Sequence, residues 1–162
     1  GQQDFILLVD KIRTAGINVL GVVAGGVEER RVTFQKELEE QVEKRGLKQN
    51  ILFCGQRRDM KEVMSSSDLV FSLSREPEAF GRTSLEALSL GVPVVAYDHG
   101  GASEVLQAIF PKGLVPALDI DAAAKRAIEF YRKRPVVTGK QPFTLQGMLD
   151  STIELYSSLQ ER

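Results

Sequence analysis

Apolar positions along the chain fall into two patterns. Short, nearly unbroken apolar runs are bounded by Gly, Asn, Asp and Ser; between them lie longer segments with apolar residues every three or four positions. Residues 4–15 carry Phe5, Leu8, Val9 and Ile12 on one helical face, and Gly16 stops that helix. Residues 17–26 (INVLGVVAGG) form an apolar run closed by Gly25-Gly26, which predicts a strand buried on both faces. A charged amphipathic helix follows over 31–45, ended by Gly46, and then a short buried strand over 50–55. Asp59 stands where it would cap a helix reaching about Ser66, and 68–74 (DLVFSLS) reads as a third strand. The remaining pattern predicts a helix over 83–90, a strand over 92–97, a loop and short helix over 100–109, and a strand over 112–117. A helix over 121–133, a linker over 135–142 and a terminal helix over 145–160 complete the chain, with no internal repeat or low-complexity tract.

Buried strands alternating with amphipathic helices predict an α/β fold: a Rossmann-like parallel sheet with helices on both faces. In such sheets ligands bind beyond the carboxyl ends of the strands. Here those ends carry Gly25-Gly26, residues 55–58, residues 74–81 and residues 98–101, so Gly-rich and polar residues collect on one edge. The length, 162 residues, suits one domain spanning 1–162.

The stretch 75–101 (REPEAFGRTSLEALSLGVPVVAYDHGG) holds the densest chemistry. A helix beginning near Gly81–Thr83 would aim its free N–H groups and positive dipole end at the cleft, a ready anion site suited to a diphosphate. Glu78, on the preceding loop, would reach the same cleft, and Glu86, one turn in, would lean back toward it. Amides for phosphate flanked by two carboxylates for hydroxyls match a sugar nucleotide. Yet Thr83 and Glu86 also stand at capping-box spacing, in which Glu86 would bond the Thr83 backbone N–H and hold no ligand. Where the helix starts decides between the two.

Composition narrows the partners. A formal net charge of −1 gives no basic excess for nucleic acid, and no apolar run reaches the length of a membrane span. No secretory signal pattern is visible. A single cysteine, Cys54, and a single histidine, His99, leave no internal disulfide and no conventional His/Cys metal site, and a cytoplasmic location fits.

The residues EAFGRTSLEALSLGVPVVA followed by DHGGASEVL closely resemble the retaining glycosyltransferases of two-Rossmann-domain (GT-B) architecture, and more narrowly their group 1 family. That family's signature is E-x(7)-E with Phe-Gly after the first Glu, Ala after the second, and then Gly-x-Pro-Val-Val. Glu78, Phe80, Gly81, Glu86, Ala87, Gly91, Pro93, Val94 and Val95 fit it, whereas Glu76 does not fit the spacing. The segments VVAGG, ILFCG, SSSDLVFSLS and GGASE and the Tyr156 helix agree as well, so the resemblance covers essentially the whole chain.

The resemblance implies a donor-binding domain, the C-terminal half of a GT-B fold. Glu78 would contact hydroxyls of the transferred sugar as the catalytic residue, and Glu86 the ribose hydroxyls. Amides around Phe80, Gly81, Arg82 and Thr83 would meet sugar and diphosphate, and Gly55, Gln56 and Arg57 would lie near the base. His99, Gly100 and Gly101 are further candidates on the same edge. The donor is a nucleotide-diphosphate sugar, with no separate cofactor and no metal. The resemblance also implies an N-terminal domain outside this chain that mostly chooses the acceptor and through which peripheral contact with the inner face of a membrane would come.

The same family places an Arg and a Lys for the diphosphate just before the first helix, the Lys commonly preceding a Gly. The chain opens at GQQDF, where that Lys would already have passed. The resemblance thus predicts that the first strand and both cations lie upstream, and that this chain alone has no transferase activity. In Rossmann order 3-2-1-4-5-6 the absent strand is the central one. The strands near 17–24 and 68–74 would then not pair with each other, and a direct ladder between them would refute the register.

Several other residues have plainer readings. Asp119-Ile120-Asp121 is a D-x-D read as a helix start rather than a metal site. Cys54 is read as core, Arg57-Arg58 as a solvated pair or a base or phosphate contact, and 28–31 as a solvated helix start. Glu104 is undecided between facing the cleft and supporting its loop. A nucleotide-sugar epimerase of similar fold and a non-catalytic nucleotide-binding module stay open as alternatives.

Overall fold

In the computed structural model, which describes residues 1–26, 32–138 and 142–160, parallel strands alternate with helices. The order is α1 (Gln2–Thr14), β1 (Gly21–Ala24), α2 (Val32–Lys44), β2 (Ile51–Gly55), α3 (Met60–Ser65), β3 (Val70–Ser72), α4 (Arg82–Ser89), β4 (Val94–Tyr97), α5 (Gly100–Ile109), β5 (Leu114–Val115), α6 (Ile120–Lys133) and α7 (Leu145–Gln160). The segment 28–31 lies outside the described residues.

The strands form two parallel groups, β1–β2 and β3–β4–β5. Gly21 pairs with Ile51 and Val23 with Phe53; Val70 pairs with Val94, and Ala96 with Leu114. No ladder joins β1 to β3, as the predicted register requires. Between them lies a cavity of about 770 Å³, lined by Gly21 and Val23 on one side and Val70 and Ser72 on the other, with Phe5 and Val9 of α1 beside it. A Cβ added to Gly1 would overlap the Leu73 carbonyl, so α1 begins at the carboxyl end of β3.

Burial explains which elements hold the core. Ile6, Leu8, Val9 and Ile12 of α1 are buried, and α1 packs along α6, whose Ala123, Ala127 and Phe130 are buried in turn. All of β4 is buried, because α4 and α5 pack on it as well as α6. Side chains at facing positions such as Val94, Val95, Leu106 and Phe110 each remove roughly 1.5–3 kcal/mol worth of apolar surface from water.

Four expectations need correction. The strand predicted over 17–26 is confined to Gly21–Ala24 and is not buried on both faces; Leu20, Val22 and Leu52 are exposed. Among the described residues no helix packs on that face of β1 and β2, and the six-residue α3 packs against α4 instead. The strand predicted over 112–117 is only Leu114–Val115, since Pro111–Gly113 form a 3-10 turn. The loop and short helix predicted over 100–109 are a single helix starting at Gly100. Cys54 is half-buried rather than core, with its thiol 3.5 Å from the Val23 carbonyl.

Asp119 accepts a hydrogen bond from the Ala122 backbone N–H at 2.8 Å and so caps α6, while Asp121 pairs with Lys11 at 2.6 Å. The D-x-D is thus a helix start, as its sequence setting predicts. Among the described residues no helix is long and apolar enough to cross a membrane.

Candidate functional site

At the carboxyl edge of β3 and β4, the loop 74–81 meets the first turns of α4 and α5. The His99 ring donates through Nε2 to the Ser74 carbonyl at 2.8 Å, and the Gly101 N–H donates to the Glu78 carbonyl at 2.8 Å. His99 is therefore half-buried and engaged with the loop. Two glycines make the approach feasible. Gly81 sits at φ 78° and a Cβ there would come within 2.7 Å of the Ala102 nitrogen; a Cβ on Gly101 would lie 2.5 Å from the Phe80 nitrogen.

Glu78 is half-buried, and its Oε1 accepts from the Ser72 hydroxyl at 2.9 Å. That bond runs from the last residue of β3, so the carboxylate is set by the sheet rather than by the loop alone. Helix α4 begins at Arg82 with Gly81 as its N-cap. Thr83 therefore lies inside the first turn, and the capping box is excluded: the box glutamate would have to stand at Ser84. Glu86 lies about half exposed, with the Arg82 guanidinium 3.7 Å away. A pair this exposed holds its partners weakly, so Glu86 is accessible to a ligand. No side chain caps α4 or α5, which leaves their N-terminal positive ends turned to the same edge.

Ser84, fully buried in the first turn of α4, has a hydroxyl with no hydrogen-bond partner among the described residues. An unsatisfied buried hydroxyl costs about 1–3 kcal/mol. Ser84→Ala is expected to raise stability by about 1 kcal/mol, read as a higher urea midpoint at unchanged m-value. A lower midpoint would mean that the hydroxyl has a partner.

Gly55, Gln56 and Arg57 stand apart from this cluster, at the end of β2 in the other sheet. Gly55 accepts from the Gly25 N–H at 2.9 Å, and Gln56 packs beside Gly26. Asp59 is the N-cap residue of α3 but gives it no side-chain hydrogen bond, contrary to the expected cap. Its carboxylate holds Arg57 instead, with Nε to Oδ1 at 2.8 Å and a second bond through Nη2 to Oδ2. The Asp59 carboxyl is thereby lowered below its usual range, chiefly by the hydrogen bond from Arg57. Glu104 is exposed on α5.

Two features escaped the sequence reading. Asp4, in the first turn of α1, is only 2% exposed. Arg75 donates to its Oδ1 from Nε at 3.1 Å and Nη2 at 2.7 Å, and the Tyr97 hydroxyl donates to Oδ2 at 2.9 Å. Burial, followed by the bond to Asp4, pushes Tyr97 well above the usual phenol range. The signal was present: Asp4, Leu8 and Ile12 share one helical stripe, and a carboxylate on a buried stripe needs a partner. The second feature is Phe143, just before α7, whose ring meets that of Phe80 edge-on with centroids 5.9 Å apart. Nothing local in the sequence marks that contact.

Comparison with known proteins identifies the family. A family model described as glycosyl transferases group 1 matches residues 1–139. The chain is 38% identical over 116 residues to the lipopolysaccharide core biosynthesis mannosyltransferase LpsB of Rhizobium meliloti (strain 1021), covering 70% of this chain and 33% of the relative. It is 29% identical over 164 residues to the 2-deoxystreptamine N-acetyl-D-glucosaminyltransferase of Streptomyces fradiae, covering 95% of this chain and 37% of that one. The chain thus spans a third or little more of the lengths of these two relatives. Among solved structures, Anabaena Alr3699/HepE in complex with UDP and glucose superposes at a TM-score of 0.71 with 29% identity, over 78% of this chain and 35% of that chain. A glycosyltransferase from Rickettsia africae ESF-5 shares the fold over 99% of this chain and 45% of its own, at a TM-score of 0.81 and 21% identity.

Proposed function

Because the chain belongs to the group 1 glycosyl transferases, we propose that it binds the nucleotide-sugar donor of a glycosyltransferase that moves a sugar to an acceptor with retained anomeric configuration. The observation that carries this is the placement of Glu78. It is tied to β3 through Ser72 and stands beside an α4 N-terminus that no side chain caps. A solved neighbour in complex with UDP and glucose supports a nucleotide sugar as the ligand class.

In this reading the amides of Phe80, Gly81, Arg82 and Thr83, with the positive end of α4, hold the sugar and diphosphate. Glu78 accepts hydrogen bonds from hydroxyls of the transferred sugar. Glu86, freed by the absence of a capping box, accepts them from the ribose. Gly55 and Gln56 approach the base, while Arg57 is held back by Asp59. Attack comes from the face the diphosphate leaves, and the departing diphosphate takes the acceptor's proton. Stabilising the charge that develops on that diphosphate is then the main service of the site, which is what preorganised amides provide. His99, Gly100 and Gly101 support the loop from beneath. An acceptor domain, contact with a membrane through it and a cytoplasmic location belong to the same reading.

Calorimetric titration with UDP-, GDP- and ADP-sugars, on the chain with its upstream segment restored, tests it. One of the three is expected to bind, with Glu78→Gln and Glu86→Gln each weakening it roughly 10-fold, the size of one hydrogen bond to a charged group. Absence of binding to every nucleotide sugar would overturn the reading.

A further inference from the structure

We propose that Phe143 is a positioning residue for the nucleotide-sugar site, acting through Phe80. The proposal rests on the function given above, because the amides that would hold the sugar and diphosphate begin at Phe80. Two contacts confine that residue. On one side its backbone lies against Gly101, so close that a Cβ there would come within 2.5 Å of the Phe80 nitrogen. On the other side its ring, 46% exposed, is met edge-on by that of Phe143 at 5.9 Å between centroids. The first contact sets how deep the backbone can sit; the second resists its lifting away.

Phe143 is itself fixed in place. It is half-buried against the core, and the next residue, Thr144, caps α7 by accepting the Gly147 N–H at 3.0 Å. It is thus the last residue before a capped helix, not a free loop tip. Pro142 and residues 144–159 on either side of it are exposed, with Leu145 70% exposed. The contact therefore links the far end of the chain to the donor loop. Phe143 packs on the margin of the core rather than among its buried residues, so a reporter in the core separates loss of this contact from general destabilisation. An edge-to-face pair contributes about 0.5–1.5 kcal/mol, so its loss should raise local opening roughly 2- to 10-fold.

Amide exchange in the unliganded protein reads this directly. The two reporters are the Gly101 N–H, bonded to the Glu78 carbonyl, and the Leu85 N–H, bonded to the Gly81 carbonyl. The Asp98 N–H, bonded to the Val115 carbonyl, reports on the core. Phe143→Ala is expected to speed exchange at Gly101 and Leu85 roughly 2- to 10-fold and to leave Asp98 unchanged. Phe143→Tyr, which keeps the ring, restores the parent rates, and Leu145→Ala changes nothing. In parallel, affinity for whichever of the UDP-, GDP- and ADP-sugars binds the parent falls by a similar factor in Phe143→Ala only. Unchanged exchange at the two reporters, or equal acceleration at Asp98, would overturn the positioning role. A parent protein that binds none of the UDP-, GDP- and ADP-sugars would count against the assigned ligand, while the exchange data would still decide what Phe143 does.

Discussion

Replacing Asp4 by alanine is expected to lower folding stability by about 2–4 kcal/mol, the largest single loss available to a side chain outside the apolar core. The reason lies in what remains. Asp4 accepts two bonds from Arg75 and one from Tyr97, and it is almost wholly removed from water. Hydrogen bonds to a charged group contribute about 1.5–3 kcal/mol net. Arg75 can turn to solvent once its partner is gone, because its side chain is 57% exposed, so its charge is not stranded. Tyr97 cannot: it is 1% exposed, and its hydroxyl would stay buried without an acceptor. That difference places the estimate below the 3–5 kcal/mol typical when one half of a fully buried pair is lost.

Tyr97→Phe separates the parts. It leaves Asp4 with Arg75 and removes the hydroxyl that would otherwise be stranded, so it should cost about 1 kcal/mol. Urea unfolding of both variants checks the pair, with the m-value as control for a changed denatured state. An Asp4→Ala loss no larger than that of Tyr97→Phe would show that the carboxylate contributes only through the tyrosine. Arg75 is also the second residue of the loop 74–81. The network therefore ties α1, the root of the donor loop and the end of β4 to one point.

The alternation of strands and helices could be read from the sequence because each element carries its own pattern of apolar spacing. What could not be read was whatever depends on neighbours distant in the chain. The run 17–26 looks like a strand buried on both faces, but only Gly21–Ala24 has a ladder, since pairing depends on β2. The motif Thr83-x-x-Glu86 has the spacing of a capping box and of a ligand site alike. The helix start that separates them is set by Gly81, which sits at φ 78° and has no room for a Cβ beside Ala102 of α5. Asp4 advertised its burial by its register with Leu8 and Ile12, yet its partners lie 71 and 93 residues away. Phe143 had no such signal, because a lone aromatic after a linker reads the same whether or not it packs on Phe80. Glu78 was legible as chemistry, but its orientation depends on Ser72 of the strand before the loop.

The second large effect is expected at Gly101. Its φ is not in the left-handed region, so alanine there meets no backbone strain of its own. The obstacle is space. A Cβ would overlap the Phe80 Cα and carbonyl carbon and lie 2.5 Å from its nitrogen, and these are backbone atoms that no rotamer change can move. Either α5 or the donor loop must retreat, and α5 is the less free of the two, with Ala102, Val105, Leu106 and Ile109 buried in the core. The loop should therefore give way, breaking the Gly101 N–H to Glu78 carbonyl bond as it does so. Overpacking of this kind costs about 1–3 kcal/mol. A displacement near 1 Å in a binding constellation costs on the order of 100-fold in rate. Gly101→Ala is thus expected to fold, with a lowered urea midpoint, and to lose nucleotide-sugar binding far out of proportion to its stability. Gly91→Ala supplies the contrast. Gly91 sits at φ 78° with open space around the added Cβ, so it carries strain but no clash near the site. It should lose comparable stability and keep its ligand affinity. If the two variants lost affinity equally, the defect would follow general destabilisation, and the close approach of α5 to Phe80 would have no part in holding the donor loop.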